Sequence, residues 1–243
     1  MTSPFPILRQ TALGTADFEG DGARLRELFG LARGYTDPMV EDVGMADETL
    51  PVGPDAYLEL VAPLSERAAI NGWLTKAGGT AGYCVAIQVP DLAPHLAAAE
   101  AAGVRVAVDM DVHGLRIVQL HPGDVGLLLE LDEIPDPQQW HWDAVDFEPS
   151  PGARIGDVIG IDVAADDPLS RAQLWASILG VELQEHEGAP LLRLGTRTVR
   201  FVADGAPRVS AIDVVPTEAG ADLPAEIAFG QLTFRVHHET DRH

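Results

Sequence analysis

The sequence is poor in cysteine and in basic residues, and both shortages limit what the protein can be. Its 243 residues include one cysteine, Cys84, so no internal disulfide can form, and this usage fits a reducing compartment. Only 16 lysine and arginine residues stand against 38 acidic residues, and Lys76 is the single lysine. The formal charge of −22 argues against nucleic-acid binding, which requires a basic surface. It permits binding of cationic ligands, although an acidic surface that only aids solubility is the simpler interpretation.

Long hydrophobic runs are also missing. No run of about 18 apolar residues occurs, so we expect neither a transmembrane helix nor a membrane partner. The first four residues show no basic and apolar leader, which predicts a cytoplasmic protein. Hydrophobic residues nevertheless make up 46% of the chain, which is enough for one large domain core or two small ones.

The order of the predicted elements repeats along the chain. One copy has strands over 83–89, 104–108, 115–120 and 127–131, with a helix over 93–102. Another has a strand over 158–164 and a helix that begins at Asp167 and Pro168 and ends at Gly180. This recurrence at a spacing of about 70 residues is an internal repeat and predicts an α+β fold. Segments rich in Pro, Trp and Gly, at 134–142 and 148–152, mark a domain boundary.

One strand of this series carries a glutamate among leucines. Alternation places Leu128 and Glu130 on one face and the three neighbouring leucines on the other. A buried carboxylate costs several kcal/mol unless a metal, a proton or a hydrogen-bond donor compensates it. Glu130 could equally lie on a solvated strand face or at a sheet edge, and the pattern does not decide between these alternatives. Glu59 stands among apolar neighbours in a similar strand over 56–61.

Residues 56–133 resemble the second part of a methylmalonyl-CoA epimerase. These enzymes belong to the vicinal oxygen chelate superfamily, together with glyoxalases and bleomycin-resistance proteins. The pieces that carry the resemblance occur in the right order: LELVAPL at 58–64, GWL at 72–74, VPD at 89–91, LHP at 120–122 and GLLLEL at 126–131. Residues 7–55 match more loosely, and residues 155–236 resemble a further, abbreviated module.

The resemblance implies tandem βαβββ modules that form cupped mixed sheets, arranged in two domains. A complete glyoxalase-like domain of two modules is expected at residues 1–135 and a linker at 136–154. Residues 155–243 are expected to form a second, abbreviated glyoxalase-like domain. Val158 falls where the first-strand ligand of that second domain would stand, so this half is expected to hold no metal. A homodimer is a further expectation.

The superfamily holds a divalent metal inside the cup, and its four ligand positions fall on Gln10, Glu59, Cys84 and Glu130. This set departs from the family pattern, because none of the four residues is a histidine. Its oxygen ligands suit Mg or Mn and a thiolate favours Zn, with Co and Ni as further options, and metal occupancy stays open. For Cys84 the stronger interpretation is a small buried hydrophobe, because lone cysteines are usually of that kind. Tyr83 stands where the epimerases commonly have a second histidine.

Three other residues have two interpretations each. His113 and Arg116 could reach the mouth of the cup or could be solvated residues at strand ends. His141 lies between two tryptophans, and we expect it to pack between domains rather than to line a pocket.

Two function hypotheses follow. The first is a metal-assisted epimerase, isomerase or lyase, in which the metal chelates two neighbouring oxygens of a small oxygenated substrate and a carboxylate moves a proton. Glu59 and Glu130 are its expected catalytic residues. The alternative is a metal-free protein that binds a small molecule of the antibiotic type, for which an acidic surface suits a cationic ligand. A ring-cleaving dioxygenase is set aside because it requires two histidines at the iron site.

Overall fold

The computed structural model describes residues 4–112 and 114–238, so His113 lies outside the described residues. Fourteen strands and six helices are found in that part of the chain. The strands are β1 (Ile7–Gly14), β2 (Met45–Pro51), β3 (Tyr57–Pro63), β4 (Ala81–Val89), β5 (Val106–Val112), β6 (Leu115–Leu120), β7 (Leu128–Glu133), β8 (Ile155–Ala164), β9 (Gln184–His186), β10 (Ala189–Leu194), β11 (Arg197–Val202), β12 (Arg208–Pro216), β13 (Glu226–Phe229) and β14 (Leu232–Val236). The helices are α1 (Phe18–Phe29), α2 (Pro38–Asp42), α3 (Ile70–Ala77), α4 (Ala93–Ala101), α5 (Pro122–Val125) and α6 (Pro168–Leu179).

Four modules repeat one strand pairing. Module A comprises β1, α1, β2 and β3; module B comprises β4, α4, β5, β6 and β7. Module C comprises β8, α6, β9, β10 and β11, and module D comprises β12, a short 3-10 helix, β13 and β14. In each module the last strand pairs parallel to the first and antiparallel to the strand before it. The expected mixed α+β fold of tandem modules is confirmed, and residues 155–236 contain two modules rather than one.

The chain forms two compact units. Unit 1 contains Met1–Arg9, Tyr83–Ala144 and Gly160–Val209, and so holds most of modules B and C. Unit 2 contains Gln10–Gly82, Val145–Ile159 and Ser210–His243, and so holds most of modules A and D. Each unit is thus built from segments that are not consecutive in the chain. The sequence-based boundary at residues 136–154 divides the chain into two consecutive domains, and that division stays a prediction.

The longest helices begin and end as their sequences indicate. Asp17 and Asp167 cap α1 and α6 by accepting a hydrogen bond from the backbone three residues later, each at 3.0 Å. Pro168 occupies the first turn of α6, where its missing N–H costs nothing. Gly30 and Gly180 end the two helices with φ of 64° and 67°, a left-handed conformation that glycine adopts without strain. None of the described helices has the length and apolar character needed to span a membrane.

Aromatic pairs form the centre of each unit. In unit 1 the rings of Trp175 and Phe201 lie edge to face with centroids 5.4 Å apart, and the indole N–H of Trp175 donates to the carbonyl of Val125 at 2.9 Å. In unit 2 Phe29 and Phe234 lie edge to face at 4.8 Å. Such pairs add about 1 kcal/mol each to the burial of their rings. Modules B and C therefore share one core, and modules A and D share the other.

A buried carboxylate on β2 makes the stability of unit 2 depend on pH. Asp47 is 1% exposed, and its two oxygens accept hydrogen bonds from the backbone N–H of Asp37 at 3.0 and 3.1 Å. Burial raises the pKa of Asp47 to about 6, although these hydrogen bonds act in the opposite direction. Because the folded pKa lies above the unfolded value, the protonated group stabilises the fold at low pH. That contribution is lost as pH rises through about 6.

We predict that Asp47→Asn gains stability relative to the parent protein as pH rises. Asn cannot ionise, and its amide oxygen can still accept from Asp37. The difference in unfolding free energy should shift by about 2 kcal/mol in favour of the variant between about pH 4 and about pH 7. Urea unfolding across that range measures it. A difference that does not vary with pH would contradict the assignment.

Candidate functional site

The strand that carries Glu130 lies inside a sheet. β7 pairs parallel to β4 on one side and antiparallel to β6 on the other, so it is not an edge strand. Leu129 and Leu131 are fully buried, whereas Leu128 and Glu130 on the opposite face are half-buried. The predicted alternation is confirmed and the sheet-edge alternative is excluded.

Glu130 is compensated by a hydrogen-bond donor and by proton uptake. Gln119 lies directly opposite it on β6, and its side-chain amide donates to Glu130 Oε2 at 2.6 Å. Burial, followed by the charge of Asp132, raises the pKa of Glu130 to about 7, while the Gln119 hydrogen bond and the nearby His141 lower it. A carboxylate with this pKa changes protonation state near neutral pH, as a general base must.

Asp132 is the site residue that the sequence did not reveal. β7 extends two residues beyond the predicted strand end, so Asp132 shares the face of Glu130 and is completely buried. Neither oxygen of its carboxylate accepts a hydrogen bond within the described part of the chain, and the Nε2 of His141 lies 3.4 Å from Oδ2. Burial raises the pKa of Asp132 well above its ordinary value. The face of β7 thus carries two neighbouring acids that resist ionisation together.

A buried hydrogen-bond network holds the segment that carries His141. The amide of Gln88, on β4, donates to two backbone carbonyls of the segment after β7 at 2.9 and 2.8 Å. The guanidinium of Arg9 donates to Gln88 Oε1 at 2.6 Å and also to the carbonyl of Pro137. Arg9 and Gln88 are 3% and 0% exposed. His141 therefore contacts the candidate site within unit 1, a placement that differs from the expected inter-domain packing.

The equivalent carboxylate of module A has a similar environment in unit 2. Glu59 pairs in register with Ala12, as Glu130 does with Ala86. The side-chain amide of Gln10 donates to Glu59 Oε2 at 2.9 Å, and Gln10 is buried while Glu59 is half-buried. Each of the two predicted catalytic glutamates is therefore bound by a glutamine amide inside its own module.

Register also locates the first-strand positions. Gln10 and Cys84 are equivalent, because each precedes by two the alanine that pairs with the glutamate. Cys84 is 8% exposed, as expected of a small buried hydrophobe. In module C the equivalent residue is Gly160, which stands two before the residue paired with Arg200. The sequence-based placement of the first-strand ligand position of this module on Val158 is therefore two residues too early. That placement took the strand to begin at Val158, whereas β8 begins at Ile155.

The donors at the four predicted ligand positions do not fit a divalent ion. Glu59 and Glu130 accept hydrogen bonds from amide N–H groups, which are not metal ligands, and no histidine supports them. Across residues 4–112 and 114–238, no three His, Cys, Asp or Glu side chains form a group that could hold a metal. Gln10 and Glu59 lie in unit 2, while Cys84 and Glu130 lie in unit 1. Their roles as metal ligands stay predictions.

Comparison with solved structures identifies the fold. A hypothetical protein from Staphylococcus aureus is similar with a TM-score of 0.68 and 11% identity, over 96% of this chain and 99% of that one. An engineered 4-hydroxymandelate synthase from Streptomyces coelicolor is similar with a TM-score of 0.65 and 13% identity, over 86% and 71% of the two chains. The chain shares the fold of these structures, which is the glyoxalase-like fold that the resemblance implied.

An epimerase is also among the similar structures. Methylmalonyl-CoA epimerase from Mycobacterium tuberculosis is 28% identical, with a TM-score of 0.45, over 54% of this chain and 89% of that one. No protein-family model matches the sequence, and no curated protein matches it either.

We predict that two substitutions move the pKa of Glu130 in opposite directions. Asp132→Asn removes a neighbouring negative charge, so the pKa should fall from about 7 while staying above its ordinary value, since burial remains. Gln119→Leu removes the donor that favours the ionised form, so the pKa should rise. NMR titration of labelled glutamate carboxyl carbons measures both, with Glu130→Gln identifying the signal. Shifts of the same sign would contradict the arrangement.

Proposed function

We propose that the protein is a proton-transfer enzyme of the epimerase, isomerase or lyase type that acts on a small oxygenated substrate, with Glu130 as its base. The observation that carries this proposal is the placement of Glu130. Its carboxylate is half-buried on an interior strand, held by Gln119 at 2.6 Å and backed by the completely buried Asp132. The resemblance of residues 56–133 to an epimerase supports the same class of reaction.

The chemistry follows from the environment of this carboxylate. A partly desolvated carboxylate is a stronger base than a solvated one, because removal of water raises its pKa. Glu130 would take a proton from a carbon next to a carbonyl, and the electrons of the C–H bond would remain on the substrate as an enolate. Delivery of a proton to the opposite face by a second acid or by water would give epimerisation, return of the proton by Glu130 to the same face would give exchange only, and loss of a leaving group from the neighbouring carbon would give elimination. Glu59 holds the equivalent position in module A, and its catalytic role stays a prediction.

Hydrogen exchange with solvent tests this function without knowledge of the final product. Methylmalonyl-CoA and a panel of small hydroxy-ketones and keto-acids would be incubated with the protein in deuterated water, and deuterium beside the carbonyl measured by NMR. We expect at least one substrate to exchange, and Glu130→Gln to reduce the rate by about 100-fold or more. Glu100→Gln, an exposed change in the same unit, serves as the matched control. Exchange at an unchanged rate in Glu130→Gln would refute the proposal.

The pH dependence of the same exchange gives a separate prediction. The ionised form of Glu130 is the base, so the rate at low substrate concentration should rise as pH passes through about 7. In Asp132→Asn the midpoint of this rise should move to lower pH. A profile that is flat between about pH 5 and about pH 9 would show that a different group limits the rate.

A second candidate function is metal-free binding of a cationic small molecule. The observation that favours it is the pair of carboxylates on one face of β7: Glu130 is half-buried, and the completely buried Asp132 beside it accepts no hydrogen bond within the described residues. The formal charge of −22 would attract a cation to the protein. Such a protein would bind its ligand without changing it.

A panel of cationic antibiotics separates this candidate from the enzyme. If the binding function holds, at least one compound should raise the unfolding temperature, and its affinity should weaken as salt screens the charges. Glu130→Gln should reduce that affinity, whereas Glu100→Gln should leave it unchanged. Exchange activity together with no stabilisation by any compound would favour the enzyme.

A further inference from the structure

One position of the last strand can be compared across the four modules. It is a residue that pairs in register with a residue of the first strand, and it stands two before the end of their shared ladder in modules A and C, three before it in module B and one before it in module D. We call it the repeat position. Its residues are Glu59, Glu130, Arg200 and Arg235, paired with Ala12, Ala86, Asp162 and Asp213 respectively.

The two arginines are bound by the aspartates opposite them. Arg200 donates through Nε and Nη2 to the two oxygens of Asp162 at 2.9 and 2.8 Å. Arg235 donates in the same way to Asp213 at 2.7 and 2.9 Å. The Nε2 of His237 also lies 2.7 Å from Asp213 Oδ1. These paired, parallel hydrogen bonds neutralise both charges within one module.

The two glutamates are bound by amides instead. Their neighbours on the first strand are alanines, so the partner comes from elsewhere in the module: Gln10 for Glu59 and Gln119 for Glu130. A buried carboxylate needs a metal, a proton or a donor to compensate it. Both glutamates have such a donor within their own module.

We infer that the protein functions without a divalent metal, because each charged side chain at the repeat position already has a hydrogen-bond partner from the protein and no histidine stands at the four predicted ligand positions. A metal at Glu130 would meet a carboxylate oxygen already bound by the Gln119 amide and would find a thiol rather than a histidine at Cys84. The inference holds for the proposed enzyme and for the binding protein alike. Its test does not depend on activity, so its failure is distinguishable from failure of either function.

Metal content is the direct measurement. The full chain would be purified without chelators, its metal content determined by mass spectrometry, and Mg, Mn, Co, Ni and Zn ions titrated into it by calorimetry. We expect well under about one-tenth of an ion per chain and no saturable binding of any of the five ions. About one ion per chain that is lost in Glu130→Gln would overturn the inference.

A substitution that adds a third carboxylate beside Glu130 and Asp132 provides the second test. Gln119→Glu places a carboxylate where the amide stands and brings three acids to one face of unit 1. This arrangement needs a cation. We expect the unfolding temperature of this variant to rise with Mn²⁺, while the parent protein and Gln139→Glu, the same change at an exposed position, do not respond. Stabilisation of the parent by Mn²⁺ to the same extent would contradict the inference, whatever the variant does.

Discussion

The parallel pairing of the last strand with the first in each module is the constraint on which the site depends. It places one residue of the last strand beside a fixed residue of the first, with a neighbouring strand on its other side. A side chain at that position is flanked by two strands, so its hydrogen-bond partners come from the few residues that face it on those strands. Its chemistry is therefore decided by which residues the register brings opposite it.

Burial divides the two acids of β7 between different tasks. Glu130 is half-buried and can meet a ligand, whereas Asp132 is completely buried and lies 3.4 Å from His141. Two such acids at alternate positions of one strand lie about 7 Å apart, near enough in a weakly screened interior for each charge to raise the pKa of the other. Asp132 thus acts on Glu130 without needing to touch a substrate.

Local periodicity predicted much of the fold and part of the site. The leucine alternation around Glu130 correctly separated the two faces of β7, and Asp167 and Gly180 correctly bounded α6. Asp132 was missed because an acid after an apolar run looks like the end of a strand. Gln119 was missed for a different reason: its partner is set by the pairing of β6 with β7, and side-chain periodicity along one strand carries no information about register with the next.

The contrast between glutamate and arginine at the repeat position distinguishes the modules that could carry the proposed chemistry from those that could not. In modules C and D the bidentate pairs with Asp162 and Asp213 satisfy both partners, and breaking either pair would leave a partly buried charge uncompensated. A single amide donor on Glu130 uses only part of the accepting capacity of its carboxylate, so lone pairs remain for a proton or for a donor on a ligand. The ion pairs consequently suit a structural role, whereas the amide-bound glutamates retain the capacity to react.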